Sequence, residues 1–387
     1  MLKKTISLFT VICLITGIIA TGAFASGFAE GGSETLPASA DTGGTAGDTG
    51  TIQQGLRTFD GTNADGTLNP DTNINTNLIE NSSKYNGMTS DPVAEEPALS
   101  RYSTSKVALA PDISGTQYEE AAELLGALGI MVGDAESGAF RPNDNIIRSE
   151  MAKVAVYAVG LEDVVKSSNI STRFPDVASD HWANGAINVA DQQGMVIGDT
   201  EGTFRPDDAV LLQEAVAIIV RAMGYEPAAE DKGGYPTGYL YLASTNQLLR
   251  GLSGSAAMPA TRGDIAQLVF NALTVNLMEQ VGFGTNTSYE VVDKTLLYDK
   301  LNVEKGYGQI TGTRETALDG GSTTDRDRIL IDKKQFLEGD TSATQMLGYN
   351  VLYYARIDKT SDDKTLIDVR AQDSKNKAIK VDADDIV

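Results

Sequence analysis

The chain repeats itself, and this constrains its fold more than any other property. Gly129-Ile130-Met131-Val132-Gly133-Asp134 followed by Phe140-Arg141-Pro142-Asn143-Asp144 returns, 64 or 65 residues later, as Gly194-Met195-Val196-Ile197-Gly198-Asp199 followed by Phe204-Arg205-Pro206-Asp207-Asp208. Downstream of each copy an acid opens an apolar pattern at helical spacing. Glu150 precedes Met151, Val154, Ala155, Ala158 and Val159, and Glu214 precedes Ala215, Ile218, Ile219, Ala222 and Met223. The same offsets follow Asp264, as Ile265, Leu268, Val269, Ala272 and Leu273. Another helix is predicted ahead of each, over Tyr118–Leu128, Trp182–Gln193 and Tyr239–Gln247, with Gly129 and Gly194 ending the first two in the left-handed conformation. The unit is helix, glycine turn, loop, helix. A single unit has one apolar stripe per helix and no core of its own, so three must pack together. By spacing, Ile218 lies on the core face and Asn184 on the exposed side.

Composition narrows the function. With 53 acidic against 31 basic residues and a net charge of −22, the molecule as a whole is repelled by nucleic acid and anionic lipid. One cysteine, Cys13, and one histidine, His181, exclude a disulfide framework, a Cys/His zinc site and a Cys-His catalytic pair. The loop acids do not fit a calcium loop of the EF-hand kind, because counting from Asp199 puts Phe204 where glycine is required. No metal or cofactor is expected. At the start, Lys3 and Lys4 precede an apolar run from Ile6 to Ala20 and the small residues of Ala23-Phe24-Ala25, which together describe a secretory signal over residues 1–25. Residues 26–110 are dense in Gly, Thr, Asn, Asp and Ser without period 2 or 3.6, the composition of a disordered spacer.

Within the second copy, Phe174-Pro175-Asp176-Val177, then His181-Trp182-Ala183, then Gly198-Asp199 through Phe204-Arg205-Pro206 stand in fixed order. This pattern resembles the S-layer homology domain. The first copy keeps the glycine turn and Phe-Arg-Pro but has Tyr118 near the place of Trp-Ala. The third keeps Thr261-Arg262-Gly263-Asp264, similar to the family's Thr-Arg-Ala-Glu motif, and has lost Phe-Arg-Pro. The resemblance implies three helix-loop-helix repeats, at 112–165, 172–228 and 233–279, in a mostly α, pseudo-threefold bundle. It also implies non-covalent anchoring of an exported protein to a Gram-positive-type cell wall, with secondary cell-wall polysaccharide, commonly bearing pyruvate ketals, held in grooves between repeats. Other surface proteins, or further copies of this one, are the remaining partner class; nucleic acid is not a partner.

The site residues implied are Arg148, Arg262, Trp182, Asp176, Gly133, Gly198, Glu150, Glu214 and Asp264. A guanidinium at a helix start can take a pyruvate carboxylate through two parallel hydrogen bonds. Arg148 and Arg262 keep it in the helix-start slot; Leu212 removes it from the second repeat. The same slot also describes a helix cap, with Thr261 as N-cap, Asp264 reaching back, and Glu150 and Glu214 at the positive end of the dipole. Arg141 and Arg205 are expected to brace their loops, Trp182 to be a core aromatic with its N–H on a loop carbonyl, and His181 to be a partly exposed surface residue.

From about Ser288 the period changes. Asn350–Ile357 and Thr365–Arg370 are β-branched and aromatic runs between turn signals, so residues 288–387 are expected to form a small β-rich domain. An enzymatic alternative, a wall-anchored polysaccharide hydrolase, would need two carboxylates across a cleft. A segment of about 100 residues with few aromatics is small for that task, and a structural surface protein is the favoured reading.

Overall fold

The computed structural model describes residues 110–168, 170–282, 287–321 and 323–377. The expected signal over 1–25, the spacer over 26–110 apart from Ala110, and residues 378–387 of the expected β-rich domain lie outside the described residues. Helices occupy the middle of the chain and strands follow.

Three 11-residue helices start where the acid-led patterns begin: α2 (Arg148–Ala158), α5 (Leu212–Ala222) and α8 (Arg262–Ala272). Each is preceded by a nine-residue helix: α1 (Glu119–Ala127), α4 (Asn184–Gln192) and α7 (Thr237–Thr245). Two short helices, α3 (Glu162–Ser167) and α6 (Glu226–Asp231), connect the units. The three turns after the first helices all use the left-handed region: Gly129 at φ 76°, Gly194 at 69° and, in the third unit, Gln247 at 59°. A glycine is therefore not obligatory there, although glutamine pays a steric cost for the position.

Packing links each unit to the next. Helix α2 packs on α4, α5 on α7, and α8 on α1. The starts of the three long helices are joined in the same order by backbone hydrogen bonds. Arg148 N donates to Asp208 O, Leu212 N to Met258 O and Arg262 N to Asp144 O; inside them Ile146 N donates to Ala260 O, Ala260 N to Val210 O, and Val210 N to Ile146 O. The apolar stripes meet in one core that includes Leu125, Met151, Ala155, Ile187, Ile219, Leu268 and Val269, each fully buried. Ile218 is buried, as its spacing predicts. Asn184 is not on an exposed side: it is 6% exposed, its Nδ2 donates to Ala178 O at 2.9 Å, and its Oδ1 accepts from Thr172 N at 3.2 Å. Polarity at the first position of a helix indicates capping of the preceding loop as readily as it indicates solvent.

Strands begin earlier than the change of period suggests. β1 (Asn276–Gly282), which starts inside the span expected for the third repeat, pairs antiparallel with β2 (Ser288–Thr295). After a single π-turn at Leu296–Lys300 come β3 (Val303–Gly312), β4 (Arg328–Ile331), β5 (Lys334–Leu337), β6 (Asn350–Ile357) and β7 (Lys364–Ala371). They form a closed barrel in the order β3-β4-β5-β7-β6, with β5 and β7 parallel and β3 antiparallel to β6. This is a five-stranded Greek-key barrel of the OB type. Ile310, Ile329, Phe336, Val351 and Val369 fill it, while Tyr354, Val303, Leu296 and Leu297 face outward into the helical core. Arg370 on β7 fastens the joint: its Nη2 lies 2.9 Å from Glu123 Oε2 and donates to Glu120 O, and its Nε donates to Asp368 Oδ2 at 2.7 Å.

Candidate functional site

Two grooves have the same construction. The first, roughly 220 Å³, is lined by Val132, Gly133 and Glu150, by Arg262, and by Trp182. The second, roughly 320 Å³, is lined by Ile197, Gly198 and Glu214, by Arg148, and by Tyr235. Each groove thus takes its turn and acid from one unit, its guanidinium from the unit before and its aromatic from the unit after. Arg148, Arg262, Glu150, Glu214, Gly133, Gly198 and Trp182 are brought together in this way; Asp176 and Asp264 are not.

The guanidinium groups are largely engaged by protein. Arg148 is 7% exposed; its Nε donates to Phe204 O at 2.7 Å, its Nη1 to Glu214 at 3.1 Å, and its carbon lies 5.1 Å from the Phe204 ring centre. Arg262 is 8% exposed, with Nε on Phe140 O at 2.9 Å, Nη1 on Glu150 at 3.4 Å, Nη2 on Val132 O at 3.1 Å, and the Phe140 ring at 5.2 Å. Both therefore tie one unit to the next while presenting one edge to the groove. The acids serve the helix start and the ion pair at once: Glu150 Oε2 accepts from Ile147 N at 3.2 Å and Glu214 Oε2 from Leu211 N at 2.9 Å, leaving Oε1 for the arginine.

Trp182 is not the core aromatic its neighbours suggest. It is 59% exposed and lies beside His181, ring centres 5.7 Å apart. Ala183, next to it in the chain, takes the buried position, and the indole lines the groove. Tyr235, 47% exposed and likewise two residues before its helix, does the same in the second groove. Sequence reading overlooked it because no Trp-Ala pair marks it and the helix after it was expected to start only at Tyr239, whereas it starts at Thr237.

Asp176 is a loop clamp: its carboxylate accepts from Phe204 N at 2.9 Å and Arg205 N at 2.6 Å. Asp112, one repeat earlier, does the same for Phe140 N at 2.8 Å and Arg141 N at 2.6 Å; the matching Pro-Asp dipeptides of the sequence were the missed signal. Clamped so, Arg141 and Arg205 sit at φ 58° and 57° and pair with Asp144 and Asp208. The glycines have steric reasons: a Cβ on Gly133 would lie 2.7 Å from Gly138 O and one on Gly198 2.5 Å from the Phe174 ring.

The third equivalent position is closed. Leu212 stands in place of the guanidinium, and Gly254 occupies the position of Phe140 and Phe204; a Cβ there would meet Leu212 at 3.3 Å. Asp264, fully buried, accepts from the Tyr118 hydroxyl at 3.0 Å and Ser253 N at 2.9 Å, and its carboxylate meets the Thr261 hydroxyl at 3.1 Å. Thr261 caps α8 as expected, accepting from Asp264 N at 3.1 Å, but Asp264 reaches its hydroxyl rather than its backbone. The aromatic that lines the other grooves here fills the space.

The family model of the S-layer homology domain matches residues 111–152 and 173–216. The chain is 39% identical over 185 residues to a middle cell wall protein of Brevibacillus brevis, covering 48% of this chain and 17% of that protein. It is 36% identical over 185 residues to a surface layer protein of Brevibacillus choshinensis, covering 48% and 16%. A cell surface protein of Thermoanaerobacter kivui is 26% identical over 278 residues, covering 65% of this chain and 35% of that protein. The chain therefore spans about a sixth of the length of the first two relatives.

Proposed function

The chain carries an S-layer homology domain, and on that premise we propose that it anchors an exported protein to the cell wall by holding secondary cell-wall polysaccharide in the grooves between its repeats, as a structural component of the cell surface. The three helix-loop-helix units form one pseudo-threefold bundle, in which the third repeat has drifted beyond the family's pattern. The observation that carries the reading is the twofold recurrence of one groove: an exposed aromatic facing a buried guanidinium across a glycine turn. A pyranose ring stacks on the indole or phenol, and an acidic substituent such as a pyruvate ketal meets the arginine edge, where a charge-assisted contact contributes about 1.5–3 kcal/mol. One groove binds weakly; two on one polymer raise the avidity.

The chain is read as a non-enzyme. The middle cell wall protein and the surface layer protein among its relatives are named as wall and surface proteins, while an amylopullulanase and an exoglucanase also match over shorter stretches, and Glu150 and Glu214 in the grooves are each paired with an arginine. Calorimetric titration of a pyruvylated wall oligosaccharide and its depyruvylated form tests the ligand. Saturable binding of the first and at least tenfold weaker binding of the second supports the reading; equal binding removes the ketal from it. A zymogram on purified wall polymers that showed clearing would favour the hydrolase instead.

A further inference from the structure

Where the bundle meets the barrel there is another cavity, away from both grooves. It is roughly 230 Å³, below the ~300–1,000 Å³ of sites for drug-sized ligands, and so is sized for a single ring. Two cations line it, Arg250 from the loop after α7 and Lys305 from β3, and no aspartate or glutamate does. Neither cation is ion-paired to a described residue. Both are held from behind. Asn271 Nδ2, on α8, donates to Leu248 O at 2.9 Å and Arg250 O at 2.7 Å. Lys305 faces Tyr354 in the β3–β6 register, its ammonium 5.6 Å from the ring centre. Tyr354 is 1% exposed, and its hydroxyl, which burial keeps protonated far above the ordinary tyrosine range, has no hydrogen bond among the described residues. Gln247 adds an amide and Phe270 an aromatic face.

We propose that this cavity binds one acidic sugar unit, a ring bearing a carboxylate or a phosphate. Arg250 and Lys305 take the anion, the Tyr354 hydroxyl and the Gln247 amide take ring hydroxyls, and Phe270 takes the apolar face of the ring. The site needs both parts of the chain: the bundle supplies one cation and the barrel the other. It is a second saccharide site, independent of the grooves.

The test is calorimetric titration of the full chain with glucuronate, glucose 6-phosphate and glucose in separate runs. Saturable binding of either charged sugar, with none of glucose, supports the proposal, and the tighter of the two names the anion. The Arg250→Ala/Lys305→Ala variant, altered at two exposed positions and keeping the wild-type near-ultraviolet circular dichroism, is expected to bind at least tenfold more weakly. Tyr354→Phe is expected to bind a few-fold more weakly. Glucose binding as tightly as the charged sugars, no binding of either charged sugar, or unchanged binding by the double variant would each overturn it.

Discussion

Tyr118 donates its hydroxyl hydrogen to the buried carboxylate of Asp264 across 3.0 Å, joining the first helix of the bundle to the start of the last. The contact closes one of three equivalent positions and leaves two grooves open. Tyr118→Phe removes one of the hydrogen bonds to a buried carboxylate and should lower the unfolding free energy by about 1–3 kcal/mol, measured by urea denaturation, without changing wall binding. Leu212→Arg should also leave wall binding unchanged, because the position it would reopen is occupied by Tyr118 and lacks the phenylalanine on which the other arginines rest.

Arg148→Ala and Arg262→Ala should affect fold and binding together. Each removes the guanidinium that joins a carbonyl, an acid and a ring of the neighbouring unit. The expected loss is about 1.5–3 kcal/mol of stability apiece, with weaker wall binding that the double variant nearly abolishes. Melting curves run beside a sugar titration check it; a normal melt with reduced affinity would assign these residues to the ligand alone.

Trp182→Ala and Tyr235→Ala should give the opposite signature. Both rings are exposed and line the grooves, so the melting temperature should hold while affinity for a wall oligosaccharide falls roughly fivefold to tenfold per ring, equivalent to about 1–1.4 kcal/mol. An unaltered affinity in both would take the aromatics out of the site.

Much of this was legible in the sequence. The period placed all three long helices within two residues, because an acid in the first turn favours a helix start and an apolar stripe marks its buried face, and both are local. What spacing cannot convey is which neighbour a side chain meets. Leu212 and Gly254 look like separate losses, in the second and third repeats, yet they are two halves of one missing contact, the arginine-on-phenylalanine pair that Arg148 makes with Phe204 and Arg262 with Phe140. Trp182 reads as a core aromatic, whereas Ala183, next to it in the chain, takes the buried position. The barrel's connectivity was beyond reading, since the parallel pairing of β5 with β7 is set by closure rather than by any short motif.

Asn184→Asp should be damaging rather than silent. The carboxylate would face the Ala178 carbonyl that the amide now serves at 2.9 Å, leaving two acceptors opposed in a buried site, at a cost of about 1–3 kcal/mol. Chemical denaturation at neutral pH reads this directly; a loss below the error of the method would contradict the capping role.

Acid should loosen the repeat loops in a defined window. The Asp134 carboxyl is held below its ordinary value first by the Ser137 amide and then by the Ser137 hydroxyl, and Asp199 by the Thr203 hydroxyl and amide. A lowered folded value means the contribution is present above the unfolded value of 3.8 and is lost as pH falls through the folded one. Melting temperature should therefore drop as pH falls below the unfolded value of 3.8, and Asp199→Asn should flatten part of that drop.

The account stands or falls on what the grooves hold. The direct measurement is co-sedimentation of the chain with isolated cell-wall sacculi before and after extraction of their secondary polysaccharide, alongside the Trp182→Ala/Tyr235→Ala variant. Binding to intact sacculi that disappears on extraction, and that the variant lacks, is the predicted result. Equal binding to intact and extracted sacculi would make peptidoglycan itself the ligand and contradict the account.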